Sequence, residues 1–280
     1  MDTELIQLKE VTKKFGKNVI LDSVNLSIPE NKITGIIGAS GEGKTTILKL
    51  LIGFYKPTSG EVLYLRKNVF KAMKDIEKCF GFATEDGSFY NKLTVRENLF
   101  YFARLYGVKT AKIQDAVEDI INLVELPDAI NTLAEDLSIG MKKRLDLACS
   151  LIHDPKILIM DEPTEDLDPL LRQQMIELIK KIKKQGTTII LTTHLLNEMD
   201  HICDKIAILF NKQIVEDGPP AKIKKKYGQT TLDGVFKKIF SQRVKERYQE
   251  KRRKGKERQE PEEKGPFPSV KELKEVLGRR

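Results

Sequence analysis

The sequence reads Gly38-Ala39-Ser40-Gly41-Glu42-Gly43-Lys44-Thr45-Thr46 at the point that decides its fold. This stretch fits the pattern G-x-x-x-x-G-K-[ST] of a phosphate-binding loop, the P-loop. The β-branched run 33–37 before it predicts a buried strand, and the apolar run 46–52 after it predicts a helix packed on a sheet. Strand, glycine loop and helix are the arrangement that the chemistry requires. Lys44 is expected to reach the β- and γ-phosphates of a nucleotide, and the Thr45 hydroxyl to bind Mg²⁺.

Composition narrows the class of protein. The chain has 280 residues, 40% hydrophobic and 32% charged, which is typical of a globular protein. Its apolar runs fall short of the ~20 residues that span a bilayer, and its acidic start, Met1-Asp2-Thr3-Glu4, is unlike a secretory signal. The scattered Cys79, Cys149 and Cys203 argue against disulfides and metal sites and suit a reducing interior. The net charge of +8 fits nucleic acid or an anionic membrane as partner, and much of the excess lies near the C-terminus.

Alternating strands and helices follow the P-loop and predict a parallel α/β sheet. Before the loop, residues 4–10 and 19–28 are interpreted as two strands, which predicts a small antiparallel layer beside the parallel core. Phe15 lies between these strands and next to Gly16. An exposed aromatic at this place could stack on an adenine ring, and ordinary packing against its neighbours is the alternative interpretation.

Residues 94–150 have little strand character and are interpreted as a helical insert. Thr94 and Glu97 have the spacing of a capping box, which predicts that a helix begins at Val95. Ser138 is a favoured residue type at a helix N-cap, so a further helix is expected to begin just after it. The sequence thus predicts a helical segment inserted between strands of the core.

Two acidic residues, Asp161 and Glu162, follow the apolar run 157–160. That run predicts a buried parallel strand, and ligands of open α/β sheets bind at the carboxyl ends of such strands. Asp161 is expected to approach the Mg²⁺, directly or through water, and Glu162 to polarise the attacking water. His194, after the strand predicted at 187–192, is expected to contact the γ-phosphate. A solvated turn and a structural histidine are the alternative interpretations.

These motifs together resemble the nucleotide-binding subunit of an ATP-binding cassette (ABC) transporter, over roughly residues 4–228. The order and spacing of the motifs make the resemblance specific. The pentapeptide Leu137-Ser138-Ile139-Gly140-Met141 resembles the family signature L-S-G-G-Q and lies just before the Asp161 strand. The other elements are the aromatic at Phe15, the P-loop, a Q-loop-like segment at 80–86, the acids after 157–160, Leu167-Asp168 and His194.

The resemblance implies a P-loop NTPase parallel-sheet core with an antiparallel β layer and a helical insert subdomain. It divides the chain into an ATP-binding α/β core with the β layer (1–93 and 151–228), a helical subdomain with the signature (94–150) and a helical, charged C-terminal tail (229–280). Two such cassettes are expected to sandwich two ATP molecules with Mg²⁺. Ser138 and Gly140 of one subunit would cap the ATP that the P-loop of the other binds.

The resemblance also implies roles for single residues and partners. Glu162 would be the catalytic base, His194 the linchpin, and Lys44 the phosphate-binding cation, while Asp168 would couple the two sites across the dimer. A groove formed by residues 80–100 would receive a helix of an integral membrane permease subunit. The chain is therefore expected on the cytoplasmic face of a membrane, where it would work as an ATPase that powers a transporter.

Several residues depart from the family pattern. Glu85 replaces the Q-loop glutamine and is a candidate Mg²⁺ ligand that adds negative charge near the phosphates. Ile139 and Met141 replace glycine and glutamine in the signature, and a β-branched Ile139 fits only if that position needs no positive φ. Asp166 stands where the family usually has glycine. A working ATPase is expected. The alternatives are a degenerate regulatory cassette paired with a more active one and a soluble cassette ATPase that acts on nucleic acid or the ribosome.

The C-terminal residues predict a last helix followed by a highly charged stretch. Thr230 and Asp233 predict a capping box for a last helix. Residues 231–236 resemble the T-L-E-D-V-F ending of cassettes that serve ABC-2-type exporters. The charged stretch 243–264 is either a solvated extension or a contact for anionic lipid headgroups. It lacks interleaved aromatics for base stacking, which argues against nucleic acid. The substrate, the direction of transport and the choice between homodimer and heterodimer remain open.

Overall fold

A computed structural model describes residues 4–72 and 76–242. The chain divides into two compact units, Met1–Val235 and Phe236–Arg280. The first unit contains two β-sheets and the helices that follow their strands, and the described residues of the second unit, 236–242, are helical. Within these described ranges, the helices are all too short or too polar to cross a lipid bilayer. The charged stretch 243–264 lies outside the described residues.

The predicted antiparallel layer is a four-stranded sheet with the order β2-β1-β4-β5. Its strands are β1 (Glu4–Phe15), β2 (Asn18–Pro29), β4 (Ser59–Tyr64) and β5 (Lys67–Asn68). Strand β1 is longer than predicted and includes Phe15, which pairs with Asn18. The two-residue turn between them contains Gly16 at φ +57°, a conformation that glycine adopts without steric cost. Phe15 therefore stands at the end of a hairpin and not in an open loop.

The second sheet has six strands in the order β10-β9-β3-β8-β7-β6. Strands β9, β3, β8, β7 and β6 run parallel, and β10 pairs antiparallel with β9. Every residue of β3, β7 and β8 is buried, as expected for parallel strands covered on both faces. The bounds are β3 (Ile33–Ile37), β6 (Phe80–Ala83), β7 (Ile157–Asp161), β8 (Thr188–Thr193), β9 (Lys205–Phe210) and β10 (Gln213–Gly218).

Helices connect the strands and fill the predicted insert. Their bounds are α1 (Lys44–Leu51), α2 (Val95–Leu105), α3 (Thr110–Leu123), α4 (Ile139–Leu151), α5 (Pro169–Lys184), α6 (Leu196–Ile202) and α7 (Pro220–Tyr227). Two predicted caps are confirmed. Thr94 and Glu97 form a complete capping box at the start of α2, and the Ser138 hydroxyl accepts a hydrogen bond from the Met141 N–H at the start of α4. These side chains satisfy backbone donors that a helix leaves without intrahelical partners.

The predicted capping box at Thr230 is wrong by one residue. The last described helix begins at Leu232, so Thr231 occupies its N-cap position. The Thr231 hydroxyl accepts a hydrogen bond of 3.1 Å from the Gly234 N–H. An N-cap side chain reaches the N–H groups two or three residues further on, and Thr230 is one residue too early for that donor.

Candidate active site

The carboxyl ends of three neighbouring strands form one edge of the parallel sheet. Because the strand order is β3-β8-β7, the P-loop after β3, the acids at the end of β7 and His194 after β8 are brought together there. They border a cavity of about 540 Å³. The residues that line it are Phe15, Ile20, Ser40, Gly41, Gly43, Lys44, Thr45, Thr46, Glu85, Glu162, Glu165 and His194.

The backbone of the P-loop needs glycine at defined positions. Gly41 has φ +79° and Gly43 has φ +108°, in the region that residues with a side chain rarely adopt. At Gly43 a Cβ atom would also lie 3.0 Å from the Ile20 side chain, and at Gly38 it would lie 2.8 Å from the Leu209 carbonyl oxygen. Among the described residues, no side chain caps α1, so its first N–H groups are available to an anion at the positive end of the helix.

Lys44 is the buried cation of this cavity, with 7% of its surface exposed. Its Nζ donates to the carbonyl oxygens of Gly38 at 3.0 Å and Ala39 at 3.4 Å. The same Nζ lies 3.1 Å from Oε1 of Glu162. The P-loop carbonyls therefore aim the ammonium at the carboxylate, and Gly38 and Ala39 contribute to the site through their backbone.

Glu162 connects three parts of the site. Its Oε2 accepts a hydrogen bond of 3.2 Å from the His194 backbone N–H and lies 3.1 Å from His194 Nδ1. Its own N–H donates to the Thr192 hydroxyl at 3.1 Å, and that hydroxyl donates to the Asp161 carboxylate. Glu162 has φ +49°, an uncommon conformation for a residue with a side chain. Contacts on both its backbone and its carboxylate hold it in this conformation.

Three carboxylates, those of Glu85, Glu162 and Glu165, line the cavity together with Lys44. Burial, followed by the charges of Glu165 and Asp161, raises the pKa of Glu85. One ligand atom each from Glu162, Glu165 and His194 lies within 4.8 Å of the other two. The oxygen-rich cluster is therefore electrostatically suited to a divalent cation.

Some predicted site residues lie away from this cavity. Glu42 points outward, where its carboxylate accepts from the Lys212 N–H at 3.4 Å. Asp161 is buried, is not among the described residues that line this cavity, and borders a different, smaller pocket. Ser138 and Gly140 lie at the start of α4 and are not among the described residues that line the cavity. Ser138 is exposed, whereas Gly140 is buried and would place a Cβ atom 3.1 Å from the Leu171 side chain.

The altered signature and loop residues fit the backbone. Ile139 is the first residue of α4, has no positive φ and is 57% exposed, so the condition for a β-branched residue is met. Asp166 has φ +61°, which gives a physical reason for glycine at this position in the family pattern. Aspartate tolerates this conformation better than most residues with a side chain.

Sequence reasoning missed Glu165 and Thr192. Glu165 turns back to the cavity because its N–H donates to the Glu162 carbonyl at 3.2 Å, which closes a tight turn after β7. The acidic residue three positions after Glu162 and the intervening Pro163 were the available signal. Thr192 is completely buried in β8, and because Thr188 and Thr193 of the same strand are also buried threonines, the local sequence did not mark it as the partner of Asp161.

Comparison with known proteins finds ATP-binding proteins of ABC transporters among the relatives of this chain. The family model described as ABC transporter matches residues 21–165, which include the P-loop and the Asp161–Glu162 pair. The chain is 33% identical to the Nod factor export ATP-binding protein I of Rhizobium sp. (strain N33), over 83% of this chain and 77% of that protein. It is 33% identical to the probable multidrug ABC transporter ATP-binding protein YbhF of Escherichia coli (strain K12), over 79% of this chain and 38% of that protein. A solved structure described as the ATP binding subunit of an ABC transporter matches with a TM-score of 0.76 and 25% identity, covering 84% of this chain and 99% of that chain.

Proposed function

The chain belongs to the ABC transporter family of ATP-binding proteins, and we propose that it hydrolyses ATP to drive a membrane exporter. The observation that carries the proposal is the continuous contact from Lys44 through Glu162 to His194, with 3.1 Å at each step. Export is favoured over import by the Nod factor export relative and by residues 231–236. The named relatives favour this function over a soluble cassette that acts on ribosomes or DNA.

Glu162 and a phosphate compete for the same cation. With Lys44 paired to Glu162, the carboxylate stands where the charge of a γ-phosphate would be balanced. An arriving phosphate takes over the Lys44 ammonium and the N–H groups at the start of α1, which releases Oε1 of Glu162. The released carboxylate accepts a proton from a water as the water oxygen attacks the γ-phosphorus, and the bond to the β-phosphate oxygen breaks to release ADP. His194 keeps Oε2 oriented.

Mg²⁺ is part of the proposal. Thr45 and Glu85 line the cavity, and Asp161 is the last residue of β7, next to Glu162 of the cavity lining. Hydroxyl and carboxylate oxygens are the ligands that Mg²⁺ prefers. Burial raises the pKa of Glu85 most, and the neighbouring carboxylates Glu165 and Asp161 add to the rise, a negative charge that a divalent ion would offset. The ion would supply charge neutralisation between the phosphates. Phe15, 43% exposed at the rim of the cavity, is the proposed platform for the adenine ring.

The site is proposed to be completed by a second cassette. Ser138 and Ile139 are exposed at the start of α4, where a partner subunit can reach them. Asp168 caps α5 through hydrogen bonds from Leu170 and Leu171, and its proposed coupling role across the dimer rests on the family resemblance.

The remaining partners and the domain division are also proposals. A permease subunit would dock beside residues 80–100 and hold the chain at the cytoplasmic face of the membrane, and the basic stretch 243–264 would contact anionic lipids. The division into a core (1–93 and 151–228), a helical subdomain (94–150) and a tail (229–280) is supported by the three helices α2, α3 and α4 between β6 and β7.

The test is ATP hydrolysis by the purified chain and by Lys44→Ala. Removing the ammonium is expected to lower turnover by roughly 10²–10³-fold, the range found when one electrostatic contact to a transition state is deleted. Lys49→Ala, on the same helix but away from the cavity, is the matched control and should hydrolyse normally. Equal activity of the wild type and Lys44→Ala would refute the assignment. Nucleotide binding with hydrolysis only after a second cassette is added would favour the regulatory alternative.

A further inference from the structure

A buried carboxylate on α4 holds the loop that carries Glu85. Asp146, with 2% of its surface exposed, accepts a hydrogen bond of 2.9 Å from the Thr84 N–H on one oxygen. Its other oxygen accepts from the Ser88 N–H at 2.7 Å and the Ser88 hydroxyl at 2.6 Å. One side chain thus fixes both ends of residues 84–88, which we name the 84–88 loop.

A second side chain of the same helix contacts the middle of this loop. Lys143, three residues before Asp146, donates from Nζ to the Glu85 carbonyl oxygen at 2.8 Å. Residues three apart lie on the same face of a helix. Within the loop, the Gly87 N–H donates to the Thr84 carbonyl at 3.3 Å, and Gly87 has φ +78°. The loop is therefore a closed turn that lies on one face of α4, with the Glu85 side chain directed to the cavity.

The buried Asp146 carboxylate is stabilised by the same groups of the 84–88 loop that it holds in place. A buried charge is unfavourable unless hydrogen bonds satisfy it, and Asp146 accepts three. Burial raises the pKa of Asp146, and the hydrogen bonds from Ser88 and Thr84 and the Lys143 charge oppose that rise. An apolar residue at this core position would pack without holding any backbone group. The carboxylate therefore acts on the 84–88 loop specifically.

We propose that Asp146 is a positioning residue that sets Glu85 in the active-site cavity and couples it to the helix bearing Ser138 and Gly140. The inference rests on the proposed function, because Glu85 matters as a ligand only if Mg²⁺ and ATP bind in the cavity. Displacement of α4 by a second cassette would carry the 84–88 loop with it. The oxygen of Glu85 would then reach its working position only when the signature end of α4 is in place.

The test compares Asp146→Asn, Ser88→Ala and Ser88→Thr with Ser150→Ala as matched control. Ser150 lies on the same buried face of α4 and donates to the Asp146 carbonyl, away from the 84–88 loop. Asparagine keeps the shape of Asp146 but has only one acceptor oxygen. In the wild type, Thr84 donates to one carboxylate oxygen and Ser88 to the other. Each variant is measured for ATP affinity without Mg²⁺, for kcat, for the Mg²⁺ concentration at half-maximal rate, and for amide exchange at Thr84 and Ser88.

We expect Asp146→Asn to lower kcat roughly 10-fold and to raise the Mg²⁺ concentration at half-maximal rate roughly 10-fold. Changes of this size are typical when a residue that orients a metal ligand is replaced. Ser88→Ala should show a smaller shift in the same direction, and Ser88→Thr should restore it. ATP affinity without Mg²⁺ should change less than about twofold, because Lys44 and the P-loop are untouched. Amide exchange at Thr84 and Ser88 should accelerate in Asp146→Asn and stay slow in Ser150→Ala.

The outcomes separate this inference from the proposed function. Faster exchange with unchanged kcat and Mg²⁺ dependence in Asp146→Asn overturns the positioning role. If Ser150→Ala lowers kcat as much as Asp146→Asn does, the positioning role is also overturned, since the effect would then come from the packing of α4. A wild type that shows slow exchange at Thr84 and Ser88 but no hydrolysis, alone or mixed with a second cassette, refutes the proposed function while the Asp146 anchor stands.

Discussion

Ser138→Ala tests two roles of Ser138 separately: the N-cap of α4, and the proposed composite site, in which Ser138 of one cassette completes the ATP site of the other. The Ser138 hydroxyl accepts one hydrogen bond, of 3.3 Å, from the Met141 N–H. Losing so long a cap is expected to lower the free energy of unfolding by about 0.5–1 kcal/mol. If Ser138 also caps a phosphate bound by the other cassette, a hydrogen bond to a charged group worth about 1.5–3 kcal/mol is lost as well. That loss corresponds to a fall in turnover of roughly 10- to 160-fold.

Thr94→Ala is the matched control, because it removes a stronger cap with no proposed contact to nucleotide. Thr94 accepts from the Glu97 N–H at 3.2 Å, and the Glu97 carboxylate accepts from the Thr94 N–H at 2.8 Å and hydroxyl at 2.9 Å. Its removal is expected to lower the free energy of unfolding by about 1–2 kcal/mol. Urea unfolding followed by circular dichroism measures stability, and phosphate release at saturating MgATP measures turnover. We expect Thr94→Ala to be the less stable variant and the more active one.

Mixing experiments sharpen the test. In a symmetric dimer, one subunit with Lys44→Ala and one with Ser138→Ala place both changes in one site and leave the other site intact. An equal mixture of the two variants should regain roughly a quarter of wild-type turnover if the sites act independently, because half of the dimers are mixed and each has one intact site. Wild-type turnover in Ser138→Ala, equal losses in Thr94→Ala, or a mixture that stays inactive would each refute the composite site.

Two further predictions concern Glu162 and His153. With ATP and Mg²⁺, Glu162→Gln should bind nucleotide without hydrolysing it and elute as a dimer in size-exclusion chromatography; a monomer at saturating ATP would contradict the closed-dimer proposal. His153 stacks on Tyr106 with ring centroids 3.9 Å apart and lies 3.0 Å from the Phe80 carbonyl oxygen. Burial lowers the pKa of His153, so the folded state favours the neutral ring, and the free energy of unfolding should fall as the pH drops below about 6.5. His153→Phe should flatten that part of the urea-unfolding pH profile, whereas the exposed-site control His201→Gln should keep it.

The core of the site was predictable because its residues follow strands. Periodicity and composition located β3, β7 and β8, and parallel strands bring their carboxyl ends to one edge. Lys44, Glu162 and His194 were therefore predicted to lie together, and the distances agree with that prediction. Their catalytic roles remain proposals.

Contacts between distant segments were harder to predict. Asp146 has no local pattern that marks it, since it lies within a helix and its partners at Thr84 and Ser88 are about sixty residues away. The length of β1 was also underestimated, because its second half is set by pairing with β2 and not by alternation of apolar residues. The cap at Thr231 was misplaced because adjacent threonines are equally suitable cap residues, and only the helix start distinguishes them.

The position of β8 has a consequence for biosynthesis. Strand β8 lies between β3 and β7, but it follows both of them in the chain. A nascent chain that has emerged only as far as α5 has β3 and β7 with the place between them empty, so its parallel sheet cannot be continuous. The ribosome must release residues 188–193 before the central strand is inserted and Glu162 receives its contacts from Thr192 and His194. Nucleotide can thus stabilise this fold only late in translation, after the chain has passed the last of the three site-forming strands.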